Sequence, residues 1–218
     1  MRLVLATRNE HKLRELSELM APYELDPLPQ GVRLPPETGT TFADNALGKA
    51  RAAATATGRP ALADDSGIEA RALGGAPGVW SARYAGDDAG DDANLAKLLR
   101  EVPSDGDRRV AYVCVLAYVE PGGREELVHG RCDGVLAHEP RGSGGFGYDP
   151  AFVPDDYGDG RTMAELTPEE KDAISHRGRA ARALVRRLRE VREEEEARPR
   201  LLRGPRRRSV AGRGGDGA

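Results

Sequence analysis

The amino-acid sequence predicts an α/β fold built around a mixed β-sheet, and three observations support that prediction. Apolar residues 3–5 are followed by leucines at helical spacing, so the chain begins with a strand and a helix. Residues 110–119 are almost wholly apolar and β-prone, which is typical of a strand buried on both faces. Residues 126–136 follow a turn at residues 121–123, so we expect them to pair with that strand. The two long strands form the spine of the expected sheet.

The turn between the first strand and the first helix combines a hydroxyl, an amide and basic groups. Its residues are Thr7, Arg8, Asn9, Glu10, His11 and Lys12. Asn9 can cap the helix, which leaves free backbone N–H groups and the positive helix end facing an anion. Arg8 and Lys12 alone would indicate solvated surface charge, but the combination favours a phosphate-binding turn.

An alanine-rich segment, residues 42–57, predicts the second helix. Thr41 and Asp44 resemble a capping box at its start, and Gly58 and Pro60 end it. This helix lies between Glu37 and Asp65 in the sequence, and the chain that follows it runs back towards the start of the helix. The two acidic residues are therefore expected to come close together.

Two adjacent carboxylates, Asp64 and Asp65, follow apolar residues 61–62 at a predicted strand end. Paired carboxylates in such a place can hold a hard divalent cation and position a water beside it. Glu37 by itself is most simply a surface loop acid. Because the intervening helix returns the chain, however, Glu37 and Asp65 are expected to reach one metal ion.

The middle of the chain is less informative. Residues 68–84 indicate short strands broken by a glycine-rich turn at residues 74–78, and residues 91–99 indicate a compact amphipathic helix. Arg83 and Tyr84 could contact a ligand, but structural roles explain them at least as well.

Residues 141–150 contain too many glycines for the interior of a helix or strand, so their backbone is expected to approach something closely. Phe146 in this loop could stack on a base, a contact that contributes about 1–3 kcal/mol per base in nucleic-acid complexes. Alternatively, an aromatic residue here anchors the loop to the core, and for Tyr148 the anchor is the preferred interpretation. Gly147 and Asp149 complete this candidate segment.

A late helix is predicted from its start signal. Thr167 is the cap, Pro168 occupies the first position and Glu170 completes a capping box. Polar residues then fall in the first turns of this helix: Lys171, Ser175, His176 and Arg177. A histidine such as His176 is, by itself, more typical of a structural role than of a ligand contact.

Composition is that of an ordinary globular protein, with 39% hydrophobic and 32% charged residues. No stretch approaches the roughly 18 apolar residues of a membrane span, and the first residues are strand-like instead of resembling a cleavable leader. Cys114 and Cys132 have no second Cys or His at metal spacing, so we expect buried free thiols. These features predict a cytoplasmic protein with no membrane partner.

Charge is unevenly distributed along the chain. Residues 192–218 contain eight Arg and five acidic residues, which leaves 25 basic and 31 acidic residues in residues 1–191. The last segment is poor in apolar residues, so we expect a domain at residues 1–191 and a disordered charged tail at residues 192–218. Because the arginines are not interleaved with aromatic residues, we expect no nucleic-acid partner.

These segments together resemble the non-canonical purine nucleoside triphosphate pyrophosphatases, a family that includes inosine/xanthosine triphosphatases and Ham-type proteins. The resemblance runs from Leu3 to about Leu188. It is carried by residues 5–12, 37–46, 63–67, 75–78, 144–150 and 165–178. Each segment is weak evidence alone, whereas all of them in this order are specific.

The resemblance implies a Mg²⁺-dependent hydrolase that converts dITP, ITP or XTP to the monophosphate and pyrophosphate. It also implies a homodimer and an elongated mixed α/β fold with the nucleotide in a cleft between two lobes. Such an enzyme removes deaminated purines from the nucleotide pool. Thr7 stands where many members have serine, which keeps the hydroxyl, and the tail after Val191 has no counterpart.

The resemblance also assigns roles to residues. Glu37 and Asp65 would hold the metal, Asp65 would accept a proton, and residues 7–12 would cradle phosphates. The nucleotide would be lined by Ser66, Phe146, Gly147, Tyr148, Asp149, Lys171, His176 and Arg177. Two other functions stay open as alternatives. A catalytically silent nucleotide sensor would have lost a metal carboxylate, and a pyrophosphatase of modified pyrimidines would have a different base site.

Overall fold

The computed structural model describes the backbone of residues 1–202 and, within that range, all side chains except those of residues 195 and 198–202. The strands are β1 (Arg2–Leu5), β2 (Glu24–Pro27), β3 (Ala61–Ala70), β4 (Arg109–Val119), β5 (Glu125–Leu136) and β6 (Phe152–Pro154). The α-helices are α1 (Glu10–Leu19), α2 (Phe42–Thr57), α3 (Asp91–Glu101), α4 (Pro168–Ile174) and α5 (His176–Leu202). Short 3₁₀ helices lie at Arg71–Leu73, Gly78–Arg83, Asp149–Ala151 and Met163–Glu165.

The six strands form one sheet in the order β2-β1-β3-β4-β5-β6. β1 is parallel to β2 and to β3, whereas the β3–β4, β4–β5 and β5–β6 pairs are antiparallel. The predicted mixed sheet is therefore confirmed; β4 lies beside β3 at its centre, and β5 pairs with β4 as expected. β1 pairs with β3 only through Ala61 and Leu62, so the rest of β3 extends beyond the carboxyl end of β1.

Helix α2 packs on one face of this sheet through small side chains. Ala46, Ala50 and Ala53 of the helix join Ala61 and Ala63 of β3 in one buried cluster. Alanines let the helix approach the strands closely, so polar residues on the same helix face reach the sheet as well. The predicted start and end of α2 are both present, with Thr41 as N-cap and Gly58 in the left-handed conformation after the last turn.

Two predicted boundaries are wrong, and both corrections affect the site. β3 does not end at residue 62 but continues to Ala70, so the two aspartates lie inside a strand paired throughout with β4. The late helix is interrupted at Ser175, whose extended backbone separates α4 from α5. The Ser175 hydroxyl oxygen accepts a hydrogen bond from the Gly178 N–H at 3.0 Å, which caps the start of α5 and places His176 and Arg177 there.

The described chain divides into a compact unit at Met1–Val185 and a second unit that begins at Arg186. Helix α5 continues to Leu202, so residues 192–202, which the sequence analysis assigns to a disordered tail, are helical. Arginine, glutamate, alanine and leucine dominate this stretch, and they favour helix without needing a core. Residues 203–218 of the expected tail lie outside the described residues. Among the described residues, no helix is long and apolar enough to cross a membrane.

Candidate active site

The turn between β1 and α1 has the conformation expected for anion binding. Asn9 caps α1, since its side-chain oxygen accepts a hydrogen bond from the Lys12 N–H at 3.1 Å. Thr7 supports the turn by accepting from the Asn9 N–H at 3.2 Å. Asn9 and Lys12 line a pocket beside this turn, whereas Glu10 is exposed in the first turn of α1.

Arg8 does not point towards that pocket. Its guanidinium donates to the backbone carbonyls of Leu28, Pro29, Gln30 and Val32 at distances of 2.8–3.3 Å. The expected phosphate contact of the Arg8 side chain is thus replaced by a contact with the loop that follows β2. A guanidinium presents five donors, so one arginine can satisfy several carbonyls of a loop that lacks regular structure.

His11 contacts the glycine-rich loop instead of a phosphate position. Its ring stacks on Phe146 with centroids 5.1 Å apart and an interplanar angle of 24°. The charged groups of Lys171 and Arg177 also lie near this ring, 5.2 and 5.6 Å from its centroid. Phe146 is therefore held among side chains of α1, α4 and α5.

Strand alternation sends the two adjacent aspartates to opposite faces of the sheet. Asp65 faces α2, where Asn45 Nδ2 donates to its Oδ2 at 2.9 Å. Asp64 faces the other side, where its Oδ2 lies 3.1 Å from Lys12 Nζ and accepts from Ser66 Oγ at 3.1 Å. The pair is thus divided between two environments and does not act as one bidentate cluster.

Asp64 is the most deeply buried carboxylate of the site, with 1% of its surface exposed. Burial alone raises the pKa of this carboxyl, but Lys12, Arg177 and Lys49 outweigh burial and hold the pKa well below its usual range. Its Oδ2 also lies 3.4 Å from the Arg177 guanidinium, and its Oδ1 has no hydrogen-bond partner. Asp64 is therefore an ionised anchor for two cations.

We expect Asp64→Asn to lower the free energy of unfolding by about 3–5 kcal/mol at pH 7, because it removes the carboxylate that pairs with half-buried Lys12 and one of the two that pair with buried Arg177. The stabilisation by ionised Asp64 is complete above the unfolded-state pKa and is lost as pH falls through the lower folded-state pKa. The difference in the free energy of unfolding between variant and wild type should therefore become smaller below about pH 4. Urea unfolding at several pH values measures both effects.

Asp155→Asn is the matched control, since Asp155 pairs with Arg109 at 3.1 Å on the exposed surface. That change should alter stability by less than about 0.5 kcal/mol. Equal losses in the two variants would contradict the anchoring role of Asp64.

The residues expected to hold a metal lie around Lys49 of α2. The Lys49 ammonium contacts the Glu37 carboxylate and lies 3.7 Å from Asp65 Oδ1, so one cationic centre is within reach of both acids. Arg83 donates to the Glu37 backbone carbonyl at 2.8 Å and fixes that segment. Burial raises the pKa of Asp65 more than Lys49 and Asn45 lower it, so the pKa is above its usual value.

This arrangement fits a magnesium ion. Among the described residues there is no group of three or more His, Cys, Asp or Glu that could hold a metal by itself. Mg²⁺ typically takes only one or two protein carboxylates and completes its shell with waters and substrate phosphates. Glu37 and Asp65 supply that number of carboxylates.

The glycine-rich loop is organised by Asp149, which is 3% exposed. Its Oδ2 accepts from the Phe146 N–H and from Lys171 Nζ, both at 2.9 Å, and its Oδ1 accepts from the Tyr112 hydroxyl at 3.0 Å. A Cβ on Gly145 would lie 2.0 Å from Asp149 Oδ2, so this close approach requires glycine.

Tyr148 is an anchor of this loop, in agreement with the preferred interpretation of the sequence. It is buried, and its hydroxyl donates to the Ser81 carbonyl at 2.7 Å. Gly147 N–H donates to Asp91 of α3 at 2.8 Å, which ties the loop to a second element.

Glu15 of α1 joins the basic residues of the late helices. Its Oε1 accepts from Lys171 Nζ at 2.8 Å, and its Oε2 accepts from the Arg177 guanidinium at 2.5 Å. The guanidinium also donates to Ser66 Oγ at 3.1 Å, while its Nε is buried with no partner. Burial lowers the pKa of His176 well below its usual value, so this ring is neutral, and its Nδ1 also lacks a partner.

These groups surround one pocket with a volume of about 110 Å³. Its lining includes ten residues predicted from the sequence, but neither Glu37 nor Asp65: Asn9, Lys12, Ser66, Phe146, Gly147, Tyr148, Asp149, Lys171, His176 and Arg177. The pocket thus combines the turn before α1, an aromatic residue, and a buried histidine and arginine that each have one nitrogen without a hydrogen-bond partner.

Sequence reasoning missed Asn45, Lys49, Glu15 and Tyr112. A signal existed for the first two, because they interrupt the apolar face of α2 one helical turn apart and are nevertheless buried. Glu15 and Tyr112 carry no such local signal. Their partners are far away in the chain, so only folding shows their roles.

Comparison with known proteins gives consistent relationships. The Ham1 family profile matches residues 3–187. A dITP/XTP pyrophosphatase of Frankia alni is 54% identical over 203 residues, which cover 88% of this chain and 98% of the relative. A dITP/XTP pyrophosphatase of Shigella flexneri is 51% identical over 197 residues, with 86% and 98% covered.

Solved structures agree with these sequence matches. A HAM1 protein from Coxiella burnetii superposes with a TM-score of 0.79 at 45% identity, covering 87% of this chain and 99% of that one. A nucleoside-triphosphatase / dITP/XTP pyrophosphatase from Mycobacterium abscessus has a TM-score of 0.68 at 49% identity, with 84% and 98% covered.

Proposed function

We propose, from the premise that the chain belongs to the Ham1 family, that it hydrolyses dITP, ITP and XTP to the monophosphate and pyrophosphate. The observation that carries this proposal is the single pocket lined by Lys12, Phe146 and Arg177. This pocket combines a cation for phosphate, an aromatic residue for a base and a donor for a base carbonyl. Removal of deaminated purines from the nucleotide pool would be the result.

In this reaction a water attacks the α phosphorus, and the bond to the oxygen bridging the α and β phosphates breaks. We assign proton acceptance from that water to Asp65, because burial raises its pKa and makes it a better base than an exposed aspartate. Glu37 and Asp65 would hold Mg²⁺, which neutralises phosphate charge when bound. Lys12 adds positive charge from the opposite face of β3.

Selection of the base is assigned to Arg177. Hypoxanthine and xanthine present a carbonyl at position 6, which accepts a hydrogen bond from a guanidinium donor. Adenine presents an amino group there, which would leave the buried Arg177 Nε unpaired. The neutral His176 ring, with its own unpaired nitrogen, lies in the same pocket.

The test is release of pyrophosphate from dITP, ITP and XTP, compared with ATP and UTP, in the presence of Mg²⁺. We expect the three deaminated purine nucleotides to be preferred by at least tenfold in kcat/KM, which corresponds to about 1.4 kcal/mol. Equal turnover of UTP would identify a broader or pyrimidine-directed pyrophosphatase. Tight binding of ITP without turnover would identify a sensor.

Release of orthophosphate and a diphosphate would place cleavage at the β–γ bond and contradict the proposal. Omission of Mg²⁺ should abolish turnover if Glu37 and Asp65 hold the ion. We further propose a cytoplasmic homodimer, which light scattering and fractionation would test. The two buried free thiols, Cys114 and Cys132, support a reducing compartment.

A further inference from the structure

Tyr112 of β4 contacts two walls of the pocket at once. It is 6% exposed, lies in the middle of the central strand and lines the pocket itself. Its hydroxyl donates to Asp149 Oδ1 at 3.0 Å. Its ring stacks on His176 with centroids 4.5 Å apart and an interplanar angle of 9°. No residue of the predicted site reaches both groups in this way.

The hydroxyl determines how Asp149 can serve the glycine-rich loop. With Oδ1 engaged by Tyr112, the other oxygen accepts from the Phe146 N–H and from Lys171. Each carboxylate oxygen is therefore used, and the orientation of the carboxylate sets the position of the Phe146 backbone. Burial, followed by the Asp149 charge, raises the pKa of Tyr112 well above its usual value, so the phenol stays a donor.

The ring determines how His176 is presented. The ring centroids of Phe152 and Tyr112 lie 4.6 Å apart at an interplanar angle of 35°, so an aromatic residue of the core supports the Tyr112 ring. His176 is buried and neutral, and its Nδ1 forms no hydrogen bond within the protein. Among the described residues, Tyr112 is the aromatic residue on which the His176 ring stacks.

We infer that Tyr112 is a positioning residue for base recognition: its hydroxyl orients Asp149 and the Phe146 loop, and its ring orients His176 in the base pocket. This inference rests on the proposed function. Tyr112 would align Phe146, on which a purine would stack, with His176, which would face the polar edge of the purine. Loss of Tyr112 should weaken nucleotide recognition more than it slows chemistry at Asp65.

Three variants separate the two contacts. Tyr112→Phe keeps the ring and removes the hydroxyl, whereas Tyr112→Leu removes both. The control is Tyr118→Phe in the same strand, because Tyr118 is also a buried tyrosine and its hydroxyl donates to the Glu120 carboxylate at 2.7 Å outside the pocket. Each phenylalanine variant thus loses one hydroxyl-to-carboxylate hydrogen bond.

For Tyr112→Phe we expect the KM for ITP to rise about tenfold while kcat changes by less than about threefold, as for loss of one hydrogen bond to a charged group. For Tyr112→Leu we expect, in addition, about a tenfold loss in the ratio of kcat/KM for ITP to that for ATP, since His176 loses its support. Tyr118→Phe should leave both KM and the ratio within about twofold of wild type.

Calorimetric binding of IMP, AMP and inorganic pyrophosphate gives a second readout that needs no turnover. Both Tyr112 variants should weaken the binding of IMP more than the binding of pyrophosphate. Thermal melts should show similar stability for Tyr112→Phe and Tyr118→Phe. Equal changes in the Tyr112→Phe and Tyr118→Phe proteins, or equal losses for ITP and ATP in the leucine variant, would overturn the inference. A wild type that binds IMP but releases no pyrophosphate would count against the proposed function and leave the binding test of Tyr112 decisive.

Discussion

Asp65→Asn should lower kcat for ITP by about 10²–10⁴-fold, the contribution typical of a general base. The substitution preserves the shape of a side chain that is 5% exposed and bonded to Asn45, but it removes the charge and the basic oxygen. Since we assign nucleotide recognition to the pocket on the opposite face of β3, the KM for ITP should change by only a few-fold. Steady-state kinetics with saturating Mg²⁺ measure both constants.

The pH profile adds a second test of the same assignment. Asp65 must be ionised to accept a proton, so kcat of the wild type should fall as pH decreases through the pKa of this carboxyl in the Mg²⁺-loaded enzyme. The variant should lack this acidic limb. Asp92→Asn is the control, because Asp92 is exposed in the first turn of α3 and lies outside the site. A variant that turns over ITP within a few-fold of wild type would remove Asp65 from the role of base.

Arg177→Lys should lower kcat/KM for ITP by about ten- to a hundredfold while changing that for ATP far less, since a charge-assisted hydrogen bond contributes about 1.5–3 kcal/mol. Arg177 is 2% exposed, and its terminal nitrogens donate to Glu15 and Ser66, whereas its Nε has no partner in the protein; we assign the contact with a 6-carbonyl to this guanidinium. Lysine retains the charge but lacks the fork of donors.

Lysine is chosen as the substitution because removal of the charge would take away one of the two cations that pair with Glu15 and one of the two that pair with Asp64, and would test folding instead of recognition. Arg179→Lys is the matched control on the same helix, where Arg179 contacts Asp156 and the Arg131 carbonyl at the surface. Equal losses for ITP and ATP in Arg177→Lys would assign Arg177 to phosphate binding or to structure. No loss for either nucleotide would exclude it from the base site.

The sequence by itself determined the elements whose signals lie within a few residues. Thr41 and Gly58 set the two ends of α2, and Thr167 with Glu170 sets the start of α4. Asn9 likewise determines the cap of α1 and with it the turn that we expect to bind phosphate. These features are predictable because a cap bonds to a backbone group only two or three residues away. Family membership was also contained in the order of short motifs, and it is confirmed by the comparisons.

Tertiary structure alone decided which side chains meet. Arg8 binds carbonyls of residues 28–32, and Glu15 pairs with Lys171 and Arg177 more than 150 residues later. Asp64 and Asp65, adjacent in sequence, face opposite sides of the sheet because β3 continues through them. Local patterns specify φ and ψ and a buried face, but the partner of a charged side chain depends on packing between distant elements. The pocket was therefore predictable as a set of residues, whereas its electrostatic connections required the fold.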